Sequence, residues 1–522
     1  MPDSPLLPPV DALIPVVYLL AVVWIGWRVG RGTGDTAQLF LAGRSLGFGV
    51  IGLSLFASNI SSTTLIGLAG AAYSSGIAVA SYEWMAALVL LFAAVVLVPI
   101  YLRSRVNTIP DYLARRFDPR LKRYAGVLMI FLSIVVDTAG SLFAGALVLQ
   151  VFVPGLPLWP TIIGLGLFAG LYTAAGGLKA VMVTDVLQAV ILLFGSGFIA
   201  VAAFAQFDFS WAAVTAALPA DHLSMVRPAD DPDLPWTGLL VGLPVLGLYY
   251  WTTNQYISQR FLAARSVDHA RWGAVFAALL KLSPLFLMVL PGAMAFHLYP
   301  DLESADQVFP VLVRELLPVG IRGLVIAGLL AAIMSTIDST LNAASAITLY
   351  DLADIEDRDM APARQLRIGR LTTLAFMGVA ILWAPVIREF PGLFNYLQQV
   401  FSYAVPPVAV VFVGGVLWQR AGADAALWTL ILGHAAGLCL LVLSELGIWT
   451  LHFTVNAGVL TAFSAVVLVG LTLAVPAKAP PDDTVWHRGL AAMDAPVAWW
   501  RDYRAAAAVV VALTLLGLVG FW

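Results

Sequence analysis

Charge is scarce in this sequence and cysteine is almost absent. Only 11% of the 522 residues are Asp, Glu, Lys or Arg, against about 25% in an ordinary soluble domain. Together with a mean hydropathy of +0.90, this excludes the soluble globular classes and places the chain in a membrane. The single cysteine, Cys439, excludes an intramolecular disulfide and, lying in an apolar run, reads as a buried packing residue. The first ten residues lack the positive stretch that opens a secretory signal, so the first apolar segment reads as a retained span. The six histidines show no metal-ligand spacing. With no nucleophile–base pair, metal cluster or phosphate loop in view, the sequence argues against an enzyme and needs no organic cofactor. Gly164, Gly166 and Gly170 have the spacing of a nucleotide loop, but they sit in an apolar run without βαβ context and read as sites of close helix packing. Asn59-Ile60-Ser61 matches a glycosylation sequon yet lies inside a span. The net charge of −3 points to no nucleic-acid partner, and no obligatory protein partner is inferred.

Long apolar runs dominate what is present. A helix crosses about 30 Å of hydrocarbon with roughly 20 residues, and candidate spans fall near 11–28, 46–74, 78–102, 124–151, 158–174, 180–206, 237–257, 272–298, 320–350, 369–387, 393–418, 425–445, 450–475 and 505–521. The fold class is therefore all-α and polytopic, with about fourteen transmembrane helices in contact with lipid. Most of the 28 basic residues fall in alternate loops, including Arg31, Arg103, Arg115, Lys179, Arg260 and Arg358. Acidic residues such as Asp230, Asp231 and Asp301 fall in the others. Basic loops face the cytoplasm, so both termini are expected outside the cytoplasm in a multi-pass protein of the inner (cytoplasmic) membrane.

Two spans are interrupted by polar residues: Ser58-Asn59-Ile60-Ser61-Ser62-Thr63-Thr64 in the second, and Gly247 to Gln255 in the seventh. Broken helices at matching positions in two halves point to an inverted-repeat transporter, and backbone freed in a bilayer must line a cavity or find protein partners. Five ionisable residues sit at bilayer depth: Glu83, Asp137, Asp185, Lys281 and Asp338. Such groups are costly there and each is a site candidate. Their excess of acid suits a cation pathway. On the ninth span, helical spacing puts Ala332, Ser335 and Thr336 on one face. Two hydroxyls and a carbonyl there, with unwound carbonyls from the second span, would form a neutral site for a hard monovalent cation.

The motifs Asn59-Ile60-Ser61, Ala80-Ser81-Tyr82-Glu83-Trp84-Met85, Thr108-Ile109-Pro110-Asp111-Tyr112, Gly176-Gly177-Leu178 leading to Thr184-Asp185-Val186-Leu187-Gln188, Tyr249-Tyr250-Trp251 with Asn254-Gln255-Tyr256, and Leu279-Leu280-Lys281 carry a likeness that runs from about Leu41 to Arg420. On these residues the chain resembles the sodium/solute symporter family, and within it the bacterial sodium–sugar cotransporters. The resemblance implies a LeuT-type core of two inverted five-helix repeats. The chain then divides into an N-terminal helix and loop (1–45), a first repeat (46–206), an extracytoplasmic loop (207–236), a second repeat (237–420) and three C-terminal helices (421–522). It also implies a first sodium site at Ala57, Ile60, Ala332, Ser335 and Thr336. A second cation site falls at Asp185, Asp338 and Ser339, where a carboxylate replaces the family's usual hydroxyl.

Taken with the resemblance, which implies solute contacts at Glu83, Lys281, Gln398, Tyr250 and Trp251, the candidate solute-binding residues are Asn59, Thr64, Glu83, Asp137, Tyr250, Trp251, Lys281 and Gln398. Thr64, Gly247 and Ala86 depart from the side chains usual in sugar carriers, which leaves the solute open. The expected function is sodium-coupled symport of a small polar solute, a sugar or polyol, by alternating access, with sodium as the coupling ion. The alternatives are proton coupling through Asp185 and Asp338, a different solute (an amino acid, sialic acid or a carboxylate), or a solute sensor on the same fold.

Overall fold

A computed structural model describes residues 7–30, 42–354, 360–390, 392–475, 478–492 and 498–521. Arg31 and Arg358 lie outside the described residues, as do the side chains of Arg28, Ser62, Lys179 and the Gly176 to Thr184 motif. Among the described residues the chain is helical, and its only bridge pairs are Leu46–Ala264 and Arg227–Pro235. Among the described residues, nine helices are long and apolar enough to cross a membrane, or up to eleven if each of two bent pairs is one span. The first bent pair is α1 (Phe48–Asn59) and α2 (Ser62–Ser75), which turn by 54° at the polar break expected from sequence. Ser61 starts the second piece, its hydroxyl accepting from the Thr64 N–H at 3.4 Å, as an N-cap does.

The second expected break is present too. Leu243–Leu248 runs into a π turn, Tyr249–Thr253, and Asn254 then adopts an extended conformation (ψ 123°) before α3 (Gln255–Leu262) begins. A third break was not expected. The segment 393–418 divides into α4 (Leu393–Ala404) and a helix from Pro406 to Leu417, again bent by 54°. Pro406 and Pro407 cause it, since neither has an N–H to continue the ladder.

The segment Leu158–Ala205 is helical through its length, and straight it would extend about 72 Å. Yet Leu165 meets Ile333 beside Gly145, while Ile191 meets Gly328, so both halves lie on one short stretch of the same helix. The segment therefore doubles back; Asp185–Ala205 is long and apolar enough to cross a membrane, and Leu158–Gly170 is a shorter apolar helix. Gly166 and Gly170 lie against Met377, where an added Cβ would approach the side chain at 3.2 and 3.1 Å, whereas Gly164 faces open space. The packing reading thus holds for two of the three glycines.

The helix at the centre of all this is α5 (Ile321–Ile347), with 94% of its apolar window buried, against 28% for Ala423–Glu445 and for Phe453–Ala474. Cys439 belongs to the first of those peripheral helices and is exposed, not buried. In lipid a helix can be apolar on its outer face, so an apolar run does not imply burial against protein.

Candidate functional site

Both sequence-predicted breaks meet at one cavity of about 820 Å³, part of it open to solvent. The first break contributes Asn59, Ser61, Thr63 and Thr64, and the helix Ala80–Phe92 contributes Tyr82 and Glu83. The second break contributes Tyr250 and Trp251, α4 contributes Phe394 and Gln398, and α5 contributes Thr336. Asp137 enters from a π turn, Ser133–Thr138, inside an otherwise α-helical span. Such single π turns recur at functional sites because they redirect side chains within a helix. At the first break the Thr64 hydroxyl donates to the Asn59 carbonyl, which has no helical N–H ahead of it.

Seven of the eight solute candidates line this cavity; Lys281 does not. It is fully buried behind Glu83, its ammonium paired with the Glu83 carboxylate and lying 4.9 Å from the Trp251 ring centroid and 5.8 Å from that of Phe56. An ammonium removed from water needs a partner anion, and Glu83 supplies it. Lys281 therefore orients and neutralises the acid that faces the cavity. Tyr250 bonds the Tyr256 hydroxyl and packs edge-on to Trp251 at 5.3 Å.

A second buried cluster surrounds Asp185. Its carboxylate accepts from Ser54 (2.7 Å), Ser58 (3.3 Å) and Ser335, and pairs with Arg260 at 3.0 Å. The Arg260 guanidinium also donates to Ser54 (2.9 Å), to Ser339 (3.0 Å) and to the Tyr256 carbonyl. Ser54 and Ser58, Ser335 and Ser339, and Tyr256 and Arg260 are each four apart, one helical turn on one face. This corrects two expectations. Arg260 is not a cytoplasmic loop residue: it is fully buried in α3. Asp185 is not an uncompensated acid: that guanidinium balances its charge. Asp338 is buried on α5 beside these residues. The missed signal was the four-residue spacing of Arg260 from Tyr256, the last residue of a motif already singled out.

The expected first-site residues Ala57, Ile60, Ala332, Ser335 and Thr336 are all buried, at the broken end of α1 and on α5, which packs against it. Ser335 donates to Asp185, and Thr336 donates to the Ala332 carbonyl at 3.0 Å. A hydroxyl that donates once keeps its lone pairs for a cation, so neither bond blocks a ligand role.

The sequence reading also did not assign Tyr82 and Phe394. Their rings meet edge-on at 5.0 Å and line both the cavity and a second pocket that includes Gly70, Ser75 and Asp306. Tyr82 lies within a quoted motif; nothing local distinguishes Phe394.

Broken helices around a buried polar cavity define the class: a multi-pass membrane transporter, not an enzyme. The profile of the sodium:solute symporter family matches residues 39–433, and the chain belongs to that family. It is 39% identical over 481 residues to the sodium/myo-inositol cotransporter 2 of Mus musculus, covering 83% of this chain and 70% of the relative. It is 35% identical over 472 residues to the sodium/glucose cotransporter 1 of Oryctolagus cuniculus, covering 82% and 71%. A solved structure of a Na+-coupled sialic acid symporter in a substrate-bound, outward-open state superposes with a TM-score of 0.79 at 21% identity, covering 90% of this chain and 99% of that one.

Proposed function

We propose that this chain carries a sugar or polyol across the cytoplasmic membrane together with sodium, by alternating access around the central cavity. The observation that carries the reading is the cavity lining. Hydroxyl, amide and carboxylate groups from both broken helices converge beside aromatic rings, the combination suited to a neutral, hydroxyl-rich solute. The similarity to sodium/myo-inositol and sodium/glucose cotransporters supports the same solute class. Asn59, Thr64, Glu83, Asp137, Tyr250, Trp251 and Gln398 would contact the solute, with Lys281 holding Glu83. Sodium would bind Ala57, Ile60, Ala332, Ser335 and Thr336. A second cation position at Asp185, Asp338 and Ser339 would require Arg260 to move, because its guanidinium now joins Asp185 to Ser339.

The domain division set out above and fourteen spans complete the reading, with both termini outside the cytoplasm. Support for the count comes from the two bent pairs and the shorter apolar helices Pro9–Ala21 and Leu158–Gly170, which stand beside the nine long ones. The test is uptake of labelled glucose and myo-inositol into proteoliposomes. Sodium should support accumulation that choline at the same pH does not. Equal uptake with either ion, or none of either solute, would overturn the proposal.

A further inference from the structure

Asp137 sets the cavity's charge. Glu83 is neutralised from behind by Lys281, whereas Asp137, only 7% exposed, has no such partner. Among the described residues its carboxylate has one hydrogen-bond partner, the Asn254 amide at 3.4 Å, and takes part in no ion pair. A carboxylate held at bilayer depth without a counter-charge is costly. The π turn nevertheless holds it at the wall of the cavity that Thr64 and Thr336 also line. Whatever fills the cavity is therefore drawn toward a surplus negative charge.

We propose that Asp137 selects solutes bearing a protonated amine on a polyhydroxyl ring: amino sugars and amino-cyclitols. Such a solute places its ammonium against Asp137, where it replaces the missing counter-charge, and its hydroxyls against Glu83 and Gln398. A neutral parent compound leaves the acid uncompensated and binds more weakly. The inference rests on the reading of this cavity as the solute site.

Glucose with glucosamine, and myo-inositol with an amino-deoxy inositol, serve as probes, bound to purified full-length protein in sodium. Each amine should bind about 10- to 100-fold more tightly than its parent, the range expected of a charge-assisted hydrogen bond in a dry site. Asp137→Asn should bring each amine's affinity down to that of its neutral parent measured in the same variant, and Asp137→Glu should keep the preference. If Asp137→Asn does not fold, Asp137→Ser takes its place. N-acetylglucosamine, bulky and uncharged, should not share the advantage. Sodium-dependent binding of the parents with no gain for the amines would overturn this inference and leave the symport reading standing. A gain that survives Asp137→Asn would overturn it as well. A rise in the sodium requirement in Asp137→Asn, without change in amine preference, would make Asp137 a sodium ligand and also overturn it. Failure of all four probes to bind with sodium would overturn both readings.

Discussion

The molecule buries two ion pairs near its centre, and they differ in how completely their groups are used. Asp185–Arg260 is sealed: neither side chain is exposed, and hydroxyls from α1 and α5 take up further bonds of both partners. Glu83–Lys281 is open on one side, with its ammonium sealed and its carboxylate at the cavity wall. A saturated pair ties α1, α3, α5 and the segment Leu158–Ala205 together and offers no solute a bond. A pair with one free face presents a fixed, charged acceptor at low cost, because the buried lysine already balances it. The same chemistry thus serves cohesion in one place and recognition in the other.

The largest effect should come from unbalancing the sealed pair. Arg260→Met leaves Asp185 buried without its cation and should cost about 3–5 kcal/mol of stability, seen as a lower melting temperature in detergent and loss of uptake. Adding Asp185→Asn should restore much of the melting temperature, since well-packed neutral groups replace a buried pair at little cost. If Arg260→Met melts like the parent, the pair does not tie the helices together.

Breaking the open pair should act on recognition first. Glu83→Gln removes a charged acceptor from the cavity and should weaken solute binding about 10- to 100-fold, while leaving the sodium dependence unchanged. Lys281→Met should weaken binding too, with a smaller stability loss than Arg260→Met, because Glu83 at the cavity wall can meet water. Calorimetric titration of the solute would decide. Unchanged affinity in Glu83→Gln would remove this pair from the solute site.

Smaller still should be the loss of single hydroxyls between the two regions. Ser335→Ala and Thr336→Ala should each raise the sodium concentration for half-maximal uptake by about tenfold, the scale of one oxygen ligand. Unaltered sodium activation in both would sink the sodium assignment.

The smallest effect lies in the second pocket, at Asp306. Asp306 accepts the Leu393 N–H at 3.1 Å at the start of α4, and burial pushes its carboxyl up from the usual range. A carboxyl raised on folding stabilises the fold below its unfolded value and loses that contribution as pH rises through the folded one. Asp306→Asn should therefore flatten the fall in melting temperature as pH rises from acid toward neutral, by about 1 kcal/mol or less. The same slope in both proteins would show that Asp306 does not titrate there.

The membrane class, the helical fold and the two polar breaks were legible in the sequence, because each depends on local facts: segment length, hydropathy, and residues that favour caps over continued helix. Glu83 and Asp137 were legible as ionisable groups at bilayer depth and Asn59 and Thr64 as part of a polar break, whereas Gln398, Tyr250 and Trp251 came from the family resemblance; the fold brings all of them to one cavity. The break at Pro406 was open to the same argument and went unread.

Pairing is a different matter. Asp185 and Arg260 are 75 residues apart and Glu83 and Lys281 are 198 apart, so no periodicity links them. Arg260 read as a loop cation because positive charge near a span end usually is one; only the fold shows it turned inward onto Asp185. Lys281 read as a solute ligand because an isolated lysine at that depth looks free; only the fold puts Glu83 between it and the cavity. Local sequence determined where the helices run and break, since backbone hydrogen bonds and transfer to lipid act residue by residue. Which buried charges compensate each other was decided by tertiary structure, since that depends on distances of a few ångströms between segments the chain brings together only when folded.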